Sequence, residues 1–114
     1  MSKLTVYIAS PYTKGDVEEN VRISIEAAQS LANHGFIPYA PLLCHFWDKQ
    51  ISNPYDFWID YNLEWLDKCD VLVRLPGESK GADLEVAYAE QMGIPIVYYL
   101  HGIESVGKWL QRFV

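Results

Sequence analysis

The alternation of short β-rich runs with helical segments along the whole chain is the feature that most constrains the fold. Four apolar runs predict strands over residues 4–9, 36–40, 71–75 and 94–100. Apolar residues recurring every three or four positions predict helices over residues 17–34, 54–68, 81–92 and 103–113. Strands and helices that alternate at this spacing imply right-handed crossovers and a parallel sheet covered on both faces. With 114 residues, half of them apolar, we expect one α/β domain spanning residues 1–114.

The predicted topology places a ligand site at one edge of the sheet. Four strands favour the order 2-1-3-4, which puts the switch point between the first and third strands. The loop at residues 10–16 and the helix that carries Glu85 flank this crevice. Glu85 falls within the apolar stripe of its helix, which consists of Ala82, Val86, Ala89 and Met92.

Glu85 is therefore expected to face the carboxyl edge of the sheet. The positive end of the helix dipole would favour its ionised form there, which makes it a candidate nucleophile or base. The alternative is a first-turn charge that only stabilises the start of the helix.

Further polar and aromatic residues are expected at the same edge as candidate substrate contacts. They are Ser10, Pro11, Tyr12, His45, Asn62, Ser79 and Gly81. Ser79 and Gly81 would offer a hydroxyl and backbone donors at a helix start, an arrangement suited to an anion. The alternatives are a turn cap for Ser10, a surface aromatic for Tyr12 and a buried amide satisfied by backbone for Asn62. His45 lies within residues 41–53, an apolar and aromatic segment without clear periodicity that we interpret as a loop lining a pocket or an interface.

Charge and cysteine usage narrow the possible partners and compartment. A formal net charge of −6 argues against a nucleic-acid polymer or an anionic membrane, whereas a small phosphorylated molecule remains compatible. Cys44 and Cys69 form no C-x-x-C pair, and the three histidines lack ligand spacing, so we expect reduced thiols and no metal. The start of the sequence shows neither a basic leader nor a long apolar run, which predicts a cytoplasmic protein. A carboxylate facing a small anion-tolerant crevice suits attack at an electron-poor carbon, as in glycosyl transfer.

Four segments resemble the nucleoside 2-deoxyribosyltransferase superfamily, and within it most closely the 2′-deoxynucleoside 5′-monophosphate N-glycosidases. They are VYIASPY at residues 6–12, NLEWLDKCDVLV at 62–73, SKGADLEVA at 79–87 and GIPIV at 93–97. The chain is also similar to small uncharacterised phage and bacterial proteins of that superfamily. The resemblance implies a flavodoxin-like or Rossmann-like three-layer domain that cleaves the bond between base and deoxyribose without a cofactor. It also implies a homo-oligomer in which a neighbouring subunit commonly completes the pocket.

The resemblance also implies roles for individual residues. The match to Glu85 is the nucleophile on the anomeric carbon, and the match to Ser10 lies in the first substrate loop. The match to Ser79 binds a 5′-phosphate in the hydrolases, where the transferases have an acid, so Ser79 favours a nucleotide substrate. Asn62 stands at a catalytic position, where the family usually has an Asp that supports proton transfer to the leaving base. An amide cannot do this at neutral pH. Two alternatives therefore stay open: deoxyribosyl transfer between bases, and a nucleotide-binding module with impaired chemistry.

Overall fold

The computed structural model describes residues 3–99 and 105–113 and shows an α/β fold with helices on both faces of a parallel sheet. The strands are β1 (Thr5–Ala9), β2 (Ile37–Tyr39), β3 (Val71–Arg74) and β4 (Ile96–Tyr98). The helices are α1 (Val17–Asn33), α2 (Cys44–Gln50), α3 (Tyr55–Leu66), α4 (Lys80–Met92) and α5 (Val106–Leu110), with short 3-10 turns at Pro41–Leu43 and Gln111–Phe113. The sheet order is β2-β1-β3-β4 with every pair parallel, which confirms the predicted flavodoxin-like topology.

The central strand β1 divides the core into two layers. Val6 and Ile8 are fully buried against residues of α1 and α5, whereas Tyr7 and Ala9 are fully buried against residues of α3 and α4. This alternation follows from the period of two in a strand, because successive side chains point to opposite faces. The carboxyl end of β1 thus delivers the loop after Ala9 to the edge where α4 begins.

The segment at residues 41–53 differs from its prediction as an irregular loop, since it contains a 3-10 turn and helix α2. Helical periodicity in a sequence arises where one face of the helix is buried in a core. No residue of α2 is fully buried, and Phe46 and Trp47 are about half exposed, so the helix leaves no apolar stripe in the sequence.

Several predicted bounds also change. Strand β2 lacks Phe36 and Ala40, which were predicted to be part of it. Strand β3 ends at Arg74 rather than Leu75, and β4 begins at Ile96 rather than Ile94. Met92, expected in the buried stripe of α4, is 52% exposed. The predicted start of the last helix and His101 lie outside the described residues. Among the helices in the described ranges, none is long and apolar enough to cross a lipid bilayer.

Candidate active site

A cavity of about 140 Å³ opens at the carboxyl edge of the sheet, between the loop after β1 and the start of α4. Helices α2 and α3 close its other side. Most of the residues predicted for the site line this cavity, namely Ser10, Tyr12, His45, Asn62, Ser79, Gly81 and Glu85. Pro11 is not among the lining residues; it packs instead against the backbone at Gly77.

The start of α4 is fixed by its cap and by a buried arginine. Ser79 is the N-cap, and its hydroxyl accepts a hydrogen bond of 3.1 Å from the Ala82 amide. The Arg74 guanidinium donates to the carbonyls of Leu75 and Gly77 and to the carboxylate of Asp83. These contacts hold the turn between β3 and α4 and direct Asp83 away from the cavity. Sequence reasoning did not single out Arg74.

Glu85 lies in the second turn of α4 and faces the sheet as predicted. Tyr7 is fully buried, and its hydroxyl donates a hydrogen bond to Glu85 Oε2. Burial raises the pKa of Glu85 to about 7, while the Tyr7 hydrogen bond and the charge of Arg74 act in the opposite direction. The expectation that the helix dipole favours the ionised form of Glu85 is therefore wrong, because the effect of burial on the pKa is larger. The dipole acts mainly within the first turn, and Glu85 lies beyond it, so desolvation dominates.

Ser10 carries an unpartnered hydroxyl at the cavity wall. The residue is 4% exposed, and within the described part of the chain Ser10 Oγ has no hydrogen-bond partner. A buried hydroxyl left unpaired costs about 1–3 kcal/mol. The predicted alternative, a turn cap, does not match this environment, because the hydroxyl is free to bond a ligand in the cavity.

Asn62 is held by a side chain rather than by backbone. Asn62 Oδ1 accepts a hydrogen bond of 2.8 Å from the Tyr39 hydroxyl, and the Cys44 thiol lies 3.8 Å from the same oxygen. Burial raises the pKa of Tyr39, so its hydroxyl stays a donor. The Tyr39 ring stacks on Trp65 with centroids 5.4 Å apart, which fixes the position of the donor. The amide oxygen is thus occupied, and the NH₂ group is the part of Asn62 left for a ligand.

Tyr12 and His45 meet at the mouth of the cavity. The Tyr12 hydroxyl lies 2.7 Å from His45 Nδ1, and His45 Nε2 lies 3.2 Å from Glu18 Oε1. Asn20 donates from Nδ2 to the Tyr12 carbonyl at 2.9 Å, which fixes the loop that carries Tyr12. Glu18 also pairs with Lys49, whose Nζ lies 3.6 Å from the same oxygen. Tyr12 is therefore part of a hydrogen-bonded chain and not an isolated surface aromatic.

Asp48 adds a second carboxylate that sequence reasoning missed. It lines the cavity and accepts hydrogen bonds of 2.9 Å from the Asn53 amide and 2.7 Å from Trp58 Nε1. These bonds lower the pKa of Asp48, so it is ionised at neutral pH. The cavity thus joins an ionised carboxylate at Asp48 with one that titrates near neutrality at Glu85.

Comparison with known proteins places the chain in a family. The model of a domain of unknown function, DUF7768, matches residues 4–99. The chain belongs to the DUF7768 family. No curated protein matches it significantly. Among solved structures, the chain is similar to a 2-deoxyribosyltransferase from the psychrotolerant bacterium Bacillus psychrosaccharolyticus. The two share 17% identity with a TM-score of 0.62, over 89% of this chain and 80% of that chain, a likeness of fold.

The cavity of this DUF7768 domain combines three kinds of groups. It has a carboxylate with a pKa near neutrality, a helix start with the free Ser10 hydroxyl beside it, and an aromatic wall that includes Tyr55 and Trp58. No lysine or arginine is among its lining residues in the described part of the chain. An anion bound here would therefore be held by backbone amides and hydroxyls, as at other helix N-termini.

Proposed function

We propose that this DUF7768 protein hydrolyses the N-glycosidic bond of a 2′-deoxynucleoside 5′-monophosphate, with Glu85 as nucleophile, and releases the free base. The observation that carries the proposal is the position of Glu85. It lies in a cavity at the sheet's carboxyl edge, receives a hydrogen bond from Tyr7 and has a pKa of about 7. Such a carboxylate is poorly solvated, and its ionised form is therefore a reactive nucleophile.

The reaction divides into two steps. The Glu85 carboxylate bonds to the anomeric carbon as the carbon–nitrogen bond breaks, through an oxocarbenium-like state. Water then attacks the glycosyl-enzyme and regenerates the carboxylate. The Tyr7 hydroxyl bonds to one carboxylate oxygen and so fixes the orientation of the other toward the sugar.

The remaining groups of the cavity are assigned to substrate binding. The start of α4, with Ser79 and Gly81, would hold the 5′-phosphate. The unpartnered Ser10 hydroxyl would donate to the phosphate or the sugar, and Pro11 would keep that loop rigid. The fold neighbour, a 2-deoxyribosyltransferase described as a suitable biocatalyst for nucleoside synthesis, supports chemistry on nucleosides.

Base release from a panel of deoxynucleotides, followed by chromatography, tests the proposal. We expect Glu85→Gln to lower the release rate by at least about a thousandfold, because the amide cannot form the glycosyl intermediate. Glu90→Gln is the matched control, since Glu90 is exposed on the same helix. Unchanged release in Glu85→Gln would contradict the mechanism, and no release from any nucleotide would contradict the activity.

Two alternatives are separated in the same experiment. Adding an acceptor base detects transfer through the formation of a new nucleoside; Ser79, in place of the acid of the transferases, favours hydrolysis. Asn62, in place of an Asp, favours a binding module with impaired chemistry. Calorimetry that shows tight nucleotide binding without base release would support that module.

We also propose that the chain acts as a homo-oligomer. Four aromatic residues on α2 and α3 contact one another with ring centroids 4.8–6.2 Å apart; this aromatic cluster consists of Trp47, Phe57, Trp58 and Tyr61. Large exposed apolar side chains also occur beside it in the sequence, at Leu43, Phe46, Ile51 and Tyr55. Trp58 and Tyr55 line the cavity, so a second copy seated on the cluster would border the site.

A further inference from the structure

The hydrogen-bonded chain of Tyr12, His45 and Glu18 runs from the cavity to the protein surface. Tyr12 and His45 line the cavity, whereas the Glu18 side chain is 67% exposed. We propose that these three residues form a proton relay to the leaving base. Tyr12 is the acid of this relay, and His45 is its proton source. The inference rests on the N-glycosidase activity proposed above.

The departing base needs a proton, and four other lining groups are poorly suited to supply it: Asn62, Asp48, Cys44 and Glu85. The amide of Asn62 is not an acid at neutral pH, and its oxygen already accepts from Tyr39. Asp48 is kept ionised by the Asn53 amide and the Trp58 indole. The Cys44 thiol is directed at Asn62 Oδ1, 3.8 Å away. Glu85 is committed as the nucleophile.

The geometry allows a balanced transfer. When His45 is doubly protonated, Nδ1 donates to the Tyr12 oxygen across 2.7 Å, and Nε2 donates to Glu18 across 3.2 Å. The Tyr12 O–H is then free to point into the cavity. As the carbon–nitrogen bond breaks, its electron pair goes to the base nitrogen, which takes the proton of Tyr12. Tyr12 takes the Nδ1 proton of His45, and the imidazole is left neutral with Nε2–H on Glu18. Water then gives its OH to the anomeric carbon as the bond to Glu85 breaks, and its other proton passes to His45, which restores the doubly protonated imidazole.

The charges around the relay support this direction of transfer. Burial raises the pKa of Tyr12, with Asp48, Cys44 and Glu18 acting in the same sense, so Tyr12 remains a phenol between turnovers. The hydrogen bond from His45 and the charge of Lys49 lower the pKa of Glu18, so Glu18 is anionic. The charged groups near His45 are Glu18 from α1 and Asp48 from α2, with Lys49 balancing Glu18.

Two substrates that differ in their need for a proton test the relay. A purine deoxynucleotide must be protonated as its base leaves, whereas its N7-methylated form is already cationic and leaves as a neutral base. We expect Tyr12→Phe and His45→Gln to slow release from the unmodified nucleotide by at least about a hundredfold. After subtraction of spontaneous loss, release from the methylated nucleotide should change by less than about threefold. Glu18→Gln should show the same selectivity with a smaller loss.

The controls separate the relay from the activity itself. Glu85→Gln should slow release from both nucleotides. Glu26→Gln should slow neither, because Glu26 lies on α1 like Glu18 but pairs with Arg22. Equal losses on both nucleotides in Tyr12→Phe and His45→Gln would mean a structural role and would overturn the relay alone. Absence of release from either nucleotide by the unaltered protein would overturn the proposed activity and the relay with it.

Discussion

Burial of Glu85 couples the stability of this protein to pH. Its pKa is about 7 in the folded chain and 4.5 as an unperturbed group, so folding favours the protonated form. The stabilisation is complete below about pH 4.5 and is lost as the pH rises through 7, because ionisation then favours the unfolded chain.

Glu85→Gln removes this dependence, since the amide is neutral at every pH and its oxygen still accepts from Tyr7. The free energy of unfolding of Glu85→Gln minus that of the unaltered protein should rise by about 2 kcal/mol between about pH 5.5 and about pH 8. Urea unfolding at several pH values measures the difference, and all other titrating groups cancel in it. A difference that stays constant with pH would show that Glu85 does not titrate near neutrality.

The residues around Glu85 differ in how far the sequence reveals them. Glu85 itself is recognised because an acid interrupts an apolar helical stripe. Tyr7 is recognisable in principle, since the alternation of β1 puts its side chain on the face of Ala9 and α4. Asp48 has no such signal, because its helix buries no face and its partner Trp58 lies ten residues away. Contacts between elements without periodic burial are fixed only by tertiary packing.

The turn between β3 and α4 depends on a close approach to the loop after β1. Gly77 has a φ of +116°, and a Cβ built on it would lie 2.7 Å from Pro11 Cγ. An alanine there meets both backbone strain and a clash with a rigid ring, and the clash pushes on the loop that carries Ser10. Gly93, at the end of α4, has a φ of +75° with nothing within 4 Å of its Cβ position, so it isolates the backbone effect.

We expect Gly93→Ala to lower the free energy of unfolding by about 1 kcal/mol, and Gly77→Ala to lower it by at least about 1 kcal/mol more. Gly77→Ala should also weaken nucleotide binding, because Ser10 and Pro11 are adjacent. Urea unfolding and calorimetry measure the two effects. Equal losses in the free energy of unfolding for the two substitutions would mean that Pro11 moves away from the new methyl group without strain. The turn would then not position the loop.

Elements with a buried face and local capping signals are the ones that the sequence predicts well. Helix α1 begins after Asp16, whose carboxylate accepts from the Glu19 amide, and α4 begins after Ser79 and ends at Gly93 in the left-handed conformation. The edge strands β2 and β4 have only three residues each, and each pairs with its central neighbour at three positions. Apolar residues that flank these strands extend the predicted runs without taking part in the ladder.

At the scale of the whole molecule, alternation and length are enough to predict the strand order, because crossover handedness leaves few topologies for four parallel strands. Assembly depends on surface composition instead. The aromatic cluster leaves Trp47 43% and Phe57 38% exposed, and monomeric proteins rarely expose large contiguous apolar surface. We therefore expect sedimentation or light scattering to give the mass of at least two chains.

Phe57→Glu places a charge within the aromatic cluster and should shift this assembly to the monomer, because burying an unpaired carboxylate opposes association. Met92→Glu is the matched control, since Met92 is also exposed and apolar but lies on α4, outside the cluster. If the second copy borders the cavity, Phe57→Glu should also slow base release while Met92→Glu leaves it unchanged. A monomeric unaltered protein, or equal dissociation by both substitutions, would contradict assembly through the aromatic cluster.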